Sequence, residues 1–358
     1  MDVEPIDPAL DGETTGDAEE SDEIEITHGG DSDLRTSTIP PYDSVRPSNL
    51  DPESNVHLFN TGGHNYSVDM CPRGLNVEGP EFFAVSVSWQ KYPKTTYGSR
   101  TGKMPGMIQI WSMTPGQGVK LELVLHTDAG AAFQVQWRPA DEPDKKRLGL
   151  LAATCADGCL SFFDVPLPEA LRAQQDIAHD DPIHIHASPI LAFDLIETTP
   201  VCLEWASGDR IAAGCANGFI AVWSFDQALQ DKDTTPTHYY HVHESIITGI
   251  AWYMHPKMTL LGEWDMKSPP QHILSCTILG ALVLSDIDDP TANGELRLGT
   301  TAREFTCASL VSQTQSNLCV YDLHHHFGLD SPQWELRRTA SHTASKPTSS
   351  CCKMRGTS

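Results

Sequence analysis

The sequence predicts an all-β chain: a β-propeller of repeated four-strand units, incomplete or with degenerate blades. Three observations predict it. A strand–turn–strand unit recurs along the chain, each copy follows a further short strand ending in tryptophan or a substitute, and the copies recur at a near-regular interval. Aligning Trp111, Phe163, Trp223 and Ser285 gives spacings of 52, 60 and 62 residues. A blade needs roughly 40–45 residues, and the loops at 91–105, 166–182 and 254–270 account for the excess.

The unit is clearest in Ile211-Ala-Ala-Gly-Cys-Ala-Asn-Gly-Phe-Ile-Ala-Val-Trp223. Ile211 to Ala213 suit a buried strand. Asn217-Gly218 suits a two-residue hairpin turn, because both residues tolerate positive φ. Phe219, Ile220, Val222 and Trp223 form the returning strand. The stretch from Leu150 to Asp164 repeats the pattern with Asp157-Gly158 at its turn, and Ile273 to Asp286 repeats it with Gly280. Gly106 to Trp111 keeps the second half. The preceding strands are Val68 to Pro72, Phe133 to Pro139, Val201 to Trp205 and Ile246 to Trp252. These units look like WD-repeat blades. The competing architecture is an unrepeated β-sandwich with similar hairpins.

In chain order, residues 1–55 are rich in Asp, Glu, Pro, Ser, Thr and Gly and are expected to be disordered. Such a segment is either a solvated tail or an acidic arm that docks on a basic partner. Structure is expected from Val56, with Phe82 to Val87 as the next strand after Pro72. The 91–105 loop gathers Lys91, Lys94, Arg100 and Lys103 with Tyr92 and Tyr97, either as a plain surface loop or as a partner or phosphate contact. The second blade runs from Leu121 to Asp164. A short helix follows over Leu167–Gln175, with Pro166 and Pro168 at its start. Ile183-His-Ile-His186 and Pro189 to Phe193 lead into the third blade, and the fourth spans His241 to Asp286. The propeller region is thus 56–290. Residues 291–330 hold a divergent extra blade with strands at Cys307–Val311 and Leu318–Asp322, and 331–358 read as a disordered tail.

Four or five blades are fewer than the seven typical of WD propellers, and an open ring exposes edge strands. Hidden blades, closure by a partner, or a shortened version of a longer protein would each account for this, and the last is favoured.

The formal net charge is −24, with −14 of it in residues 1–60. A chain without a basic stripe is poorly suited to binding nucleic acid alone, since phosphate neutralisation supplies most of that affinity. The start Met1-Asp-Val-Glu-Pro5 has neither the basic nor the apolar region of a secretory signal, and no apolar run approaches the ~18 residues of a membrane helix. Ten cysteines without a CxxC pair read as free thiols of a reducing compartment.

Catalytic, cofactor-binding and metal-ligating residues are all assigned as none. No nucleophile elbow, P-loop or HExxH occurs. Gly62-Gly63 lacks the helix and lysine of a phosphate cradle, and Asp286-Ile-Asp-Asp289 reads as a solvated turn. Three histidine groups stand out: His179, His184 and His186; His238, His241 and His243; and His324 to His326. His184 and His186 share a strand face, but no third and fourth ligand follows at fixed spacing. In WD blades a histidine before an inner strand bonds to a turn Asp and a neighbouring Trp, and His126 and His243 are placed to do this.

The ordered combination of Gly62-Gly63, Val68-Asp-Met-Cys-Pro72, Phe83-Ala-Val-Ser86 and Gly106-Met-Ile-Gln-Ile-Trp111, with Val201 to Trp205 and Gly214 to Gly218, resembles the WD-repeat subunit of RNA polymerase III transcription factor IIIC. The likeness covers residues 56–290. Met70 stands where that family has Trp, and the pattern weakens after Asp288. The resemblance implies a nuclear, non-enzymatic assembly factor whose partners are the other subunits of a multiprotein complex. DNA would be reached indirectly, with no cofactor, small-molecule substrate or membrane involved. A generic WD adaptor of a chromatin or ubiquitin-ligase complex is the alternative.

Overall fold

A computed structural model describes residues 24–28, 35–45, 57–72, 79–88, 98–114, 118–139, 147–175, 181–206, 208–253, 257–258, 264–265, 270–291, 294–297, 305–310, 318–322 and 335–337. The chain forms two compact units, residues 1–199 and 200–358.

The first unit contains β1 (Ile24–His28), β2 (Arg35–Ile39), β3 (Ser44–Val45), β4 (Leu58–Phe59), β5 (His64–Met70), β6 (Glu81–Ser88), β7 (Gly106–Thr114), β8 (Gly118–Thr127), β9 (Ala132–Trp137), β10 (Arg147–Cys155), β11 (Cys159–Pro166), α1 (Pro168–Gln175), β12 (Ile183–His186) and β13 (Leu191–Asp194). Two sheets dominate it. The first has the order β12-β8-β7-β6-β5 and the second β13-β11-β10-β9. After β11 the chain leaves its own sheet, forms α1, adds β12 parallel to β8 of the first sheet, and returns as β13 beside β11. Ile183-His-Ile-His186 is the strand expected, but its neighbour is Leu123 to His126 of the earlier blade.

The second unit contains β14 (Pro200–Trp205), β15 (Arg210–Cys215), β16 (Phe219–Ser224), α2 (Phe225–Asp231), β17 (His238–His241), β18 (Ile247–Tyr253), β19 (Lys257–Met258), β20 (Trp264–Asp265), β21 (His272–Thr277), β22 (Ala281–Asp286), β23 (Gly294–Arg297), β24 (Phe305–Leu310), β25 (Leu318–Asp322) and β26 (Glu335–Arg337). Its third sheet is β14-β15-β16-β17, its fourth β18-β21-β22-β23, and a three-stranded sheet is β24-β25-β26. β24 and β25 overlap the strands expected at 307–311 and 318–322, and β26 pairs with β25.

The strand register confirms the repeat residue by residue. Each main sheet contains a three-residue rung across its first three strands: Met70–Phe83–Trp111, Trp137–Leu151–Phe163, Trp205–Ile211–Trp223 and Trp252–Ile273–Ser285. The four positions aligned from sequence are all third-strand positions. All-β architecture follows, in repeated units of the propeller type.

Packing explains the composition of the strands. One core joins Ile108, Ile110, Leu123 and Leu125 of the first sheet to Val135, Trp137, Leu151 and Phe163 of the second, with Leu171 of α1 and Ile183 and Ile185 of β12. Phe83, Val85, Val87, Met107 and Trp111 bury the opposite face of the first sheet. A sheet covered on both sides needs continuous apolar strands rather than alternation, as Phe82 to Val87 provides. Neighbouring sheets also share hydrogen bonds. The Trp137 indole donates to the Asp69 carbonyl (3.2 Å) and its backbone N–H to Asp69 Oδ2 (2.7 Å). In the second unit the Trp252 indole repeats the first of these bonds on the Glu204 carbonyl (2.9 Å).

Within residues 1–55, expected to be disordered, β1 pairs with β2, and β3 pairs with β4 just beyond. Ile39 is buried, its carbonyl accepts from Asn60 Nδ2, and Ser44 Oγ donates to the Val119 carbonyl. The Ile39 carbonyl and the Ser44 hydroxyl thus tie residues 39–44 to Asn60 and to β8. Residues 1–23, 29–34 and 46–55 lie outside the described ones.

Candidate protein-interaction surface

The turns between second and third strands follow one design in three sheets. In Cys155-Ala-Asp-Gly158 and Cys215-Ala-Asn-Gly218 the glycine N–H donates to the carbonyl three residues back, at 3.0 and 3.1 Å. The Asp157 and Asn217 side chains accept from the N–H two residues on, at 3.0 and 3.3 Å. Gly218 has a φ of +83°, and a Cβ there would collide with the His243 carbonyl oxygen, so this turn requires glycine twice over.

In the fourth sheet the turn reads Thr277-Ile-Leu-Gly280. The glycine bond is kept at 3.0 Å, but Leu279 occupies the Asx position and is 74% exposed, with Ile278 at 39%. Thr277 Oγ1 takes over, accepting the Ala281 N–H at 3.3 Å.

The third and fourth sheets' turns share one connector. Gly218 O accepts from Val242 and His243, while the Ile278 N–H donates to Ile246 O. On the third-sheet side Phe219 stacks on Tyr239 with centroids 4.7 Å apart and lies 4.9 Å from His241. Tyr239 is 39% exposed. An aromatic shelf and an apolar tip thus flank Val242–Ile246.

The histidines are placed differently from one another. His243 is buried, and its Nε2 lies 2.8 Å from Ser275 Oγ, so the latch expected of it bonds to a serine. His126 Nε2 lies 2.9 Å from His184 Nδ1 in a stacked pair joining β8 to β12. Burial lowers the His184 pKa, which favours one neutral partner in this bond. His238 lies 3.7 Å from Asp288, and His186 3.7 Å from Asp128. His179 and His324 to His326 lie outside the described residues. Among the described residues no group of three or more His, Cys, Asp or Glu side chains could hold a metal.

Of the 91–105 cluster, Lys91, Tyr92, Lys94 and Tyr97 lie outside the described residues. Arg100 bonds both Asp194 carboxylate oxygens at 2.9 Å. Asp286 and Asp289 accept local N–H groups, as a solvated turn should. Burial pushes the Cys155 and Cys202 thiols well up and those of Cys159 and Cys215 to about 12. At neutral pH they are protonated and weakly nucleophilic. The sequence reading missed the Leu279 surface. Its signal was available as an apolar residue at a position where Asp157 and Asn217 mark a polar turn.

No protein-family model matches the chain. Transcription factor tau subunit sfc6 of Schizosaccharomyces pombe is 26% identical over 224 residues, covering 60% of this chain and 34% of that protein. General transcription factor 3C polypeptide 2 of Homo sapiens is 24% identical over 263 residues, covering 61% and 29%. The same polypeptide of Pongo abelii matches to the same extent. The chain is a relative of these transcription factor subunits. The relationship is the one its strand words imply, and the chain spans about a third of the relatives' length.

Proposed function

We propose that this chain is a non-enzymatic assembly subunit of a transcription factor IIIC-type complex. It works in the nucleus, supporting promoter recognition and RNA polymerase III transcription through contacts with the other subunits. The observation that carries this reading is the likeness to the tau and 3C polypeptides across three-fifths of the chain. The architecture agrees with it: repeated sheets present turns and rims to partners without a chemical step. The charge of −24 supports a reading in which direct phosphate contact is made by partners.

Affinity purification of the tagged chain from nuclear extract tests the proposal. Recovery of other transcription factor IIIC subunits is expected, and their absence alongside recovered ligase or histone-modifying components would overturn it. The purified chain alone should leave a tRNA-gene promoter duplex unshifted at physiological salt.

A further inference from the structure

We propose that the Ile278-Leu279 turn, with the Phe219–Tyr239–His241 shelf beside it, is the contact by which this chain docks another protein subunit. The inference rests on the assembly role proposed above and names the surface that performs it.

Leu279 does nothing for its own turn. In the two sister turns that position holds an Asx side chain bonded to the chain ahead, whereas here Thr277 makes the bond and the leucine faces solvent. A polar residue would keep the turn bond, as Asp157 and Asn217 do, and would avoid exposing apolar area to water. Ile278 beside it adds a second exposed apolar side chain. Apolar residues scattered singly on a surface need no explanation, but a clustered pair beside aromatics does. The shared Val242–Ile246 connector makes tip and shelf one surface.

The chemistry selects the occupant. Neither the tip, the shelf nor the connector carries a lysine or arginine, and Glu244 is exposed in the middle. Nucleic acid and anionic lipid are therefore disfavoured, because both require cations to neutralise phosphate. A convex Ile-Leu tip beside a stacked Phe–Tyr pair fits a concave apolar pocket on a protein. Tyr239 and His241 supply hydrogen bonds at the rim, the usual layout of an anchor residue and its surround.

The test is Leu279→Asn in the full chain. This variant installs the side chain that the third sheet already uses at Asn217, so the turn is retained. Ile196→Asn, at a residue 87% exposed in the other unit, is the control. Wild type, variant and control are used to recover transcription factor IIIC subunits from nuclear extract, and their thermal midpoints are compared. The expected result is an unchanged midpoint with recovery lowered at least about tenfold for Leu279→Asn alone. Equal recovery by wild type and Leu279→Asn overturns this contact and leaves the assembly role standing. A lowered midpoint also overturns it, by showing that Leu279 holds the fold. Failure of wild type to recover any such subunit overturns the assembly role and this inference together.

Discussion

Met70 and Trp137 occupy the same position in successive sheets, yet Met70 is 47% exposed and Trp137 2%. In the second, third and fourth sheets the first-strand tryptophan is buried, whereas in the first sheet Met70 and Val68 of the edge strand β5 are exposed although their partners Phe83 and Val85 are buried. Trp137→Ala should therefore cost about 3–5 kcal/mol, through lost burial and the cavity left behind, while Met70→Ala should change stability by less than about 1 kcal/mol. Urea unfolding followed by tryptophan fluorescence measures both. Asp69, between them, titrates unusually. Burial raises its carboxyl to about 6, outweighing the N–H groups of Trp137 and Met70 that pull it down. The folded chain thus holds this proton more tightly than the unfolded chain, whose carboxyl sits near about 3.9. Stability from this group is greatest below about pH 4 and is lost as pH rises through 6. Asp69→Asn keeps an acceptor for Trp137 and removes the titration. Its thermal midpoint should gain on wild type between about pH 4 and pH 6.5, and parallel curves would overturn the assignment. The tryptophans and turn glycines were legible in the sequence because their constraints are local. The partners of His126 and His243 were not, because a side chain 58 or 32 residues away supplies each bond.

At the level of elements, α1 was readable from Pro166 and Pro168, but α2 was not. Ser224 at its N-cap makes no side-chain cap bond. Asp209, in the preceding hairpin, does the work instead. Its Oδ1 accepts the Asp226 N–H at 2.7 Å, its Oδ2 accepts from Ser224 Oγ at 2.8 Å, and its carbonyl accepts the Phe225 N–H at 2.8 Å. A cap supplied from 15 or more residues away leaves no signal beside the helix itself. Asp209→Ala should cost about 0.5–2 kcal/mol, measured by chemical denaturation. The loss should concentrate in amide exchange of α2 and spare β14. The parallel pairing of β12 was hidden for the same reason. Ile183 and Ile185 announce a strand, but an edge partner in another sheet depends on the path of the intervening chain. The hairpin of β1 and β2 was masked by composition, since acidic flanks outweigh its few apolar residues.

For the whole molecule, charge is the dominant property beyond the repeat. At −24, self-repulsion opposes the compact state. Raising NaCl from about 10 mM to about 150 mM shortens the screening length from about 30 Å to about 8 Å and should raise the thermal midpoint. A flat or falling midpoint, read by differential scanning fluorimetry, would show that attractive pairs such as Arg172–Glu122 outweigh the repulsion. The path of β12 sets a timetable as well. Leu123 must wait for Ile183 before its outer edge is paired, a delay of roughly 3–12 s at about 5–20 residues translated per second. During that interval the nascent first sheet has a bare flank, and β9 to β11 emerge beside it before the missing strand does. Each of the two sheets lacks its last strand until residues 183–194 are made, and a pause in translation just before codon 183 should prolong the interval in which that flank is open to chaperones or to the wrong strand.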